Sequence, residues 1–169
     1  PLQALKQAIQ EGSPKPCYIF WGEETYLLQH YLELLRKKLI DPVTEEFNYH
    51  RFSSETFSMD ALTDSVENLP MMADRSMVRV DDVDLFKLAE KERERLIALL
   101  SDLPSYCCVV FLRRVGIQAG PAAEKALWAV SQFAAVVEFP KQSQRDLTAW
   151  IIRHFKSTGK TFPLLCVPI

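Results

Sequence analysis

At 169 residues the chain is long enough for one domain of about 100–150 residues and a remainder. A formal net charge of −2 supplies no global attraction to nucleic acid or an anionic membrane, and 48% hydrophobic with 25% charged residues is the balance of an ordinary globular protein. No apolar run approaches the ~20 residues a bilayer demands and no secretory signal precedes the first helix, so no membrane partner is expected.

Leu2 to Glu11 reads as a short helix with Leu2, Leu5 and Ile9 on one side, ended by Gly12 and the Pro14/Pro16 pair. Cys17 to Trp21 is apolar without alternation, as in a strand covered on both faces. Gly22 permits a sharp turn. Leu27, Leu28, Tyr31, Leu32, Leu35 and Leu39 then recur at helical spacing. Glu23 and Glu24 stand at the positive end of that helix, and Arg36, Lys37 and Lys38 at its negative end, both as the macrodipole favours. Such a strand–turn–helix unit is where nucleotide-binding α/β proteins hold a phosphate.

The turn itself, Gly22-Glu23-Glu24-Thr25, argues against that use. A phosphate loop needs several glycines, a lysine for the phosphate and a hydroxyl for the metal. Here one glycine is followed by two glutamates and no lysine. Each carboxylate–phosphate pair in contact would be repulsive by about 4 kcal/mol at an effective dielectric near 20. The unit has the outline of a nucleotide site with the wrong charge, so it reads as a relic or a scaffold without a working phosphate loop.

Asp41-Pro42 breaks the long helix, and Phe47 to Phe52 alternates like a second strand. Ser58 is placed to cap a helix carrying Met59, Leu62, Val66 and Leu69, which stops at Asn68-Leu69-Pro70. Met71, Met72, Ala73, Asp74 and Arg75 lead into a third strand, Met77 to Val80, ending at Asp81-Asp82. A charged segment from Asp84 to Arg95, passing into Leu96, Ile97, Leu99, Leu100 and Leu103, is expected to be a helix with a solvated first half. Tyr106 to Leu112 is apolar enough to be the central strand of a parallel sheet. Arg113-Arg114 and a loop with Gly116 and Gly120 lead to Pro121, placed to open a helix that packs Ala123, Leu127, Val130 and Phe133. Ala135 to Phe139 is the fifth strand, closed by Pro140. The rhythm predicts an α/β domain over residues 1–140, a five-stranded parallel sheet with helices on both faces. Ser143 and Asp146 begin a further helix striped with Leu147, Trp150, Ile151 and Phe155 and ended by Gly159; residues 141–169 are expected to open a small helical second domain, incomplete here. The chain, lacking an initial Met, is expected to be part of something longer.

Few residues suggest chemistry. The strand-plus-acids pattern ending in Asp81 and Asp82 resembles a magnesium motif, but without a phosphate-loop lysine these are better read as strand-end carboxylates. His30, His50 and His154 lie on separate elements with no nucleophile motif nearby. Cys17, Cys107, Cys108 and Cys166 have neither metal-ligand nor disulfide-framework spacing and read as buried reduced thiols. No catalytic residue, metal or cofactor is expected. Arg113-Arg114 follows a strand end where ligands approach such sheets, without the aromatic interleaving of a nucleic-acid site. Leu69-Pro70-Met71-Met72 leaves two large flexible side chains on a short connection, which either tuck under it as core or stand out as a hydrophobic plug for a partner's pocket.

Three segments in register, YIFWGEETYLL at the first strand and turn, LPMMADRSMVRV before the third strand, and VVEFPKQSQRDLTAWI at the domain junction, make the chain resemble the N-terminal part of the delta subunit of the bacterial DNA polymerase III clamp loader. The resemblance covers nearly the whole chain. It implies a cytoplasmic bacterial protein with an AAA+-like sheet domain lacking a phosphate loop, which opens the ring-shaped sliding clamp without hydrolysing ATP. It implies that two adjacent hydrophobic residues enter a pocket on the clamp (beta subunit). The matching positions are Met71 and Met72, flanked by Leu69, Pro70, Asp74 and Arg75, where the family usually has Leu and Phe or paired Phe. Other clamp-loader subunits would bind through regions absent here, and DNA only indirectly. The alternatives are a nucleotide-binding ATPase or GTPase domain and a flavodoxin-like domain whose methionines are core.

Overall fold

Five parallel strands carry the architecture: β1 (Cys17–Gly22), β2 (Tyr49–Phe52), β3 (Ser76–Asp81), β4 (Cys107–Arg114) and β5 (Ala135–Phe139), hydrogen-bonded in the order β2-β3-β4-β1-β5. The computed structural model describes residues 1–114 except 84 and 86, residues 131–141, and residues 143, 145, 146, 148, 149, 151 and 152. Helices α1 (Leu2–Glu11), α2 (Thr25–Leu39), α3 (Glu45–Asn48), α4 (Met59–Glu67) and α5 (Glu90–Ser101) alternate with the strands. The most apolar strand, β4, lies at the centre between β3 and β1, as its continuous hydrophobic run requires.

Alternation along the strands sends side chains to two cores. Cys17 and Ile19 of β1, Val78 and Val80 of β3, and Cys107, Val109 and Phe111 of β4 pack with Met59, Leu62 and Val66 of α4 and Leu96 and Leu100 of α5. The opposite face is covered by α1 and α2, where Leu28, Leu32 and Leu35 are fully buried. There Phe20, Tyr31 and Phe139 form an aromatic cluster with ring centroids 5.4–5.9 Å apart. The chain divides into two compact units, Pro1–Phe139 and Pro140–Ile169. In the second, Ser143 Oγ accepts the Asp146 N–H at 3.2 Å and donates to the Asp146 carboxylate at 2.6 Å.

Several boundaries differ from the sequence reading, each for a local reason. Phe47 and Asn48 belong to the one-turn helix α3, because the Phe47 and Asn48 N–H groups both donate to the Thr44 carbonyl, so β2 starts at Tyr49. Leu69 does not join the stripe of α4, which closes when the Asn68 N–H bonds Asp64 O. Helix α5 begins at Glu90, where the Glu92 carboxylate accepts the Ala89 N–H at 3.2 Å; the charged residues before it are not its first turns. β4 starts one residue later than expected and runs on to Arg114, because Trp21 and Gly22 of β1 pair with Arg113 and Arg114. The expected helix opened by Pro121 with Ala123, Leu127 and Val130, the glycines before it, and Leu147, Trp150, His154, Phe155, Gly159 and Cys166 lie outside the described residues.

Candidate functional site

A parallel sheet has two dissimilar edges, and the sequence-predicted sites fall on opposite ones. The turn after β1, the carboxylates after β3 and Arg113-Arg114 lie at the strands' carboxyl ends, whereas the methionine pair lies just before the start of β3. A six-residue strand separates them, roughly 20 Å.

At the carboxyl edge, Gly22 adopts φ +139°, and a Cβ there would stand 2.2 Å from the carbonyl oxygen of Phe139 in the neighbouring strand. Only glycine fits. The Glu24 N–H donates to that same Phe139 carbonyl at 3.1 Å, and the Thr25 N–H to Glu23 O at 2.9 Å. Backbone donors that a phosphate loop turns toward an anion are thus bonded to the protein itself. Glu23 and Thr25 are exposed and Glu24 half-buried. Beside them a cleft of about 480 Å³ is lined by Thr25, Tyr26, Gln29, Arg51 and Arg79.

Asp81, at the position of the sequence's magnesium-like motif, is engaged by cations from the protein. Its Oδ1 accepts from Arg79 Nε at 2.5 Å and its Oδ2 from Arg51 Nε at 2.7 Å. Asp81 is 3% and Arg79 6% exposed, so both charges depend on one another. Burial pulls the Arg79 pKa down, but hydrogen bonds to Asp81 and Tyr49 outweigh it and hold the guanidinium above its ordinary value.

The opposite edge presents the 68–75 connection. Leu69 is 78%, Met71 53% and Met72 89% exposed, three large apolar side chains within four residues. The reading in which the methionines tuck under the loop as core does not describe this arrangement. Met72 also has φ +52°, left-handed backbone that costs an L-residue roughly 1–2 kcal/mol. Pro70 and Arg75 are half-buried and Asp74 exposed. A cleft of about 570 Å³ beside Met72 is walled by Lys37, Lys38, Asp41, Asp74 and Arg75, giving Met72 a charged rim.

The connection is fastened from below. Asn48, 1% exposed at the end of α3, donates from Nδ2 to the Met71 carbonyl at 2.9 Å and accepts the Met71 N–H on Oδ1 at 2.7 Å. Arg36 at the end of α2 bonds Glu33 at 2.7 Å and Glu45 of α3, with its guanidinium 5.7 Å from the Tyr49 ring centroid. Sequence reasoning passed over Asn48, because beside Phe47 and Tyr49 in a run read as alternating it takes an outward, polar position, and its burial is visible only in the structure.

The remaining candidates do not converge. His30 stands beside Tyr31 on α2, while His50 on β2 is half-buried, its pKa lowered by that burial despite a hydrogen bond to the Phe47 backbone. Cys17, Cys107 and Cys108 are buried and free; burial pushes the Cys107 thiol up to about 11 and also raises those of Cys17 and Cys108 well above the ordinary range. Among the described residues no group of three or more His, Cys, Asp or Glu could hold a metal, and no helix is long and apolar enough to cross a membrane.

The family model of the DNA polymerase III delta subunit matches residues 18–117. DNA polymerase III subunit delta of Bacillus subtilis is 26% identical over 160 residues, covering 92% of this chain and 46% of its own length. The solved Bacillus subtilis DNA clamp loader delta protein superposes with a TM-score of 0.73 at 22% identity, over 95% of this chain and 49% of that one. A DNA polymerase III gamma-subunit-related protein of Thermotoga maritima gives 0.59 at 14% identity over 94% of this chain and 54% of its own. A RuvB mutant of the same organism gives 0.53 at 16% identity over 94% and 49%. These structural likenesses establish an AAA+-like sheet, and the chain spans about half the length of the curated relative it matches.

Proposed function

The chain belongs to the DNA polymerase III delta-subunit family, and from that premise we propose that it binds and opens a sliding DNA clamp by inserting Met71 and Met72 into an apolar pocket of the ring. The observation that carries the reading is the exposure of Leu69, Met71 and Met72 on a connection whose backbone is held in place by a buried amide. Two flexible apolar side chains entering a dry pocket contribute about 1.5–3 kcal/mol each on full burial. Methionine, with three rotatable bonds and a polarizable sulfur, adapts to pockets shaped for other apolar groups.

The mechanism is mechanical. Binding energy gained against a distorted clamp interface, and not against the closed one, shifts the ring toward opening. Partner subunits of the loader cover or release this surface in the bacterial cytoplasm, and DNA is met only through the clamp. No chemistry is assigned to the carboxyl edge, where the Glu24 N–H bonds the Phe139 carbonyl, the Thr25 N–H bonds Glu23 O, and two arginines engage Asp81. The test is a titration of sliding clamp with the intact protein and with its Met71→Ala/Met72→Ala variant. Loss of more than about 100-fold in affinity is expected. Unchanged affinity, or saturable binding of magnesium and a nucleoside triphosphate beside Gly22, overturns the reading.

A further inference from the structure

We infer that Asn48 is the positioning residue of the methionine plug: its buried carboxamide fixes the Met71 backbone and so holds Met72 outward. This rests on the plug reading and adds to it the residue that sets the plug's geometry. Three observations meet here. First, Asn48 is 1% exposed and spends both a donor and an acceptor on one residue, Met71, 23 positions away, at 2.9 and 2.7 Å. A side-chain amide bonded to both the N–H and the carbonyl of one residue mimics a strand partner, so it fixes the orientation of the peptides on either side. Second, the next residue, Met72, is held at φ +52° with its side chain 89% exposed. A non-glycine residue keeps such a backbone only when its surroundings over-determine it, and the Asn48 pair lies immediately before it. Third, Asn48 is itself anchored. Its N–H donates to the Thr44 carbonyl at 3.2 Å, and the Glu45 carboxylate three residues earlier is bonded by Arg36 of α2. The plug is thereby tied to the body of the sheet domain through α3.

Preorganisation of this kind raises affinity because the ordering of the loop is completed before the partner arrives. Removing the amide leaves Met71 and Met72 in the chain but frees the loop to sample conformations in which they are not both exposed. The effect on the clamp should therefore operate through the methionines and vanish when they are absent.

The experiment measures clamp affinity and melting temperature of the intact protein in four forms: unchanged, Asn48→Ala, Met71→Ala/Met72→Ala, and the triple variant. Amide hydrogen exchange is followed at Met71, Val78 and Val109. Expected for Asn48→Ala are a tenfold or greater rise in the dissociation constant and at least tenfold faster exchange at Met71, with Val78 and Val109 still protected. The triple variant should bind no worse than the double. Where Asn48→Ala lowers the melting temperature too far, Asn48→Ser serves: it stays neutral, is too short to bond both Met71 groups at once, and should weaken binding by a comparable factor. Binding within twofold of the unchanged protein in Asn48→Ala, with the double variant impaired, overturns the role of Asn48 and leaves the plug standing. Equal loss in the presence and absence of the methionines also overturns it, since the amide would then act on general structure. An unimpaired double variant sinks the plug reading and this inference with it.

Discussion

Met72→Gly separates an outward-held side chain from a core one, because the two predict stability changes of very different size. Met72 is 89% exposed, so only about a tenth of its side chain is buried, which at about 1.5–3 kcal/mol for full burial amounts to roughly 0.2–0.3 kcal/mol of packing. Its φ of +52° costs about 1–2 kcal/mol, which glycine would not incur. Glycine's greater freedom in the unfolded chain opposes the gain by about 0.4–1 kcal/mol. The balance lies between about −0.3 and +1.4 kcal/mol in favour of the variant, a melting temperature lowered by about 1 °C at most or raised by up to about 5 °C in a chain of this size. A core methionine would instead lose several kcal/mol on such truncation. Clamp affinity should fall by roughly 10- to 150-fold through loss of one plug side chain. Calorimetry and a clamp titration on the same preparation check both. A melting temperature lower by more than about 6 °C would refute the reasoning, because about 2 kcal/mol of packing would then have been hidden in an 89% exposed side chain.

Gly22→Ala should cost of order 3 kcal/mol, since its Cβ would stand 2.2 Å from the Phe139 carbonyl and a paired strand backbone cannot give way cheaply; a urea transition at the unchanged midpoint would contradict this. Asp81→Asn leaves the buried Arg79 guanidinium without a countercharge and should destabilise by about 3–5 kcal/mol, read by denaturant unfolding. The thiols of Cys17, Cys107 and Cys108 should resist alkylation at pH 8 in the native protein and react promptly in denaturant, as mass spectrometry of labelled peptides will show. Burial raises their native pKa values above the ordinary 9.0, so the unfolded chain loses protons first as pH rises. Stability should therefore be level below pH 9.0 and decline above it, and unfolding midpoints between pH 7 and pH 10.5 test the sign.

Most of the fold was legible because its signals are local. The unbroken apolar run of β4 placed it centrally, and the 3.6-residue recurrence of α2 survived intact, since both are set by which faces must leave water. Errors came where a few backbone hydrogen bonds decide. Phe47 alternates with Tyr49 like a strand residue, yet the Thr44 carbonyl captures its N–H and winds one helical turn. Leu69 keeps the helical spacing of Met59, Leu62 and Val66 but falls beyond the last bond of α4 and so is exposed, joining the methionines instead of the core. At the candidate site, the residue types were readable and their exposure was not. Whether Met71 and Met72 turn inward depends on Asn48, 23 residues away, and no period in the sequence links the two.

The methionine loop differs from a merely loose one in the price of its conformation. A connection free to relax would bring Met72 to negative φ and lay its side chain against Pro42 or Ile40, which share the wall of the neighbouring cleft. That move would recover both the left-handed strain and some buried area, about 1–2 kcal/mol from the backbone alone. It is blocked by bonds to Met71, which fix the preceding peptides, and by β3, whose six residues are all buried from Ser76 onward. The loop is therefore suspended between a buried amide and a buried strand. Exposure maintained against both apolar burial and backbone preference is compensated within the chain by those bonds, and it leaves the pair available for the apolar pocket of the proposed reading.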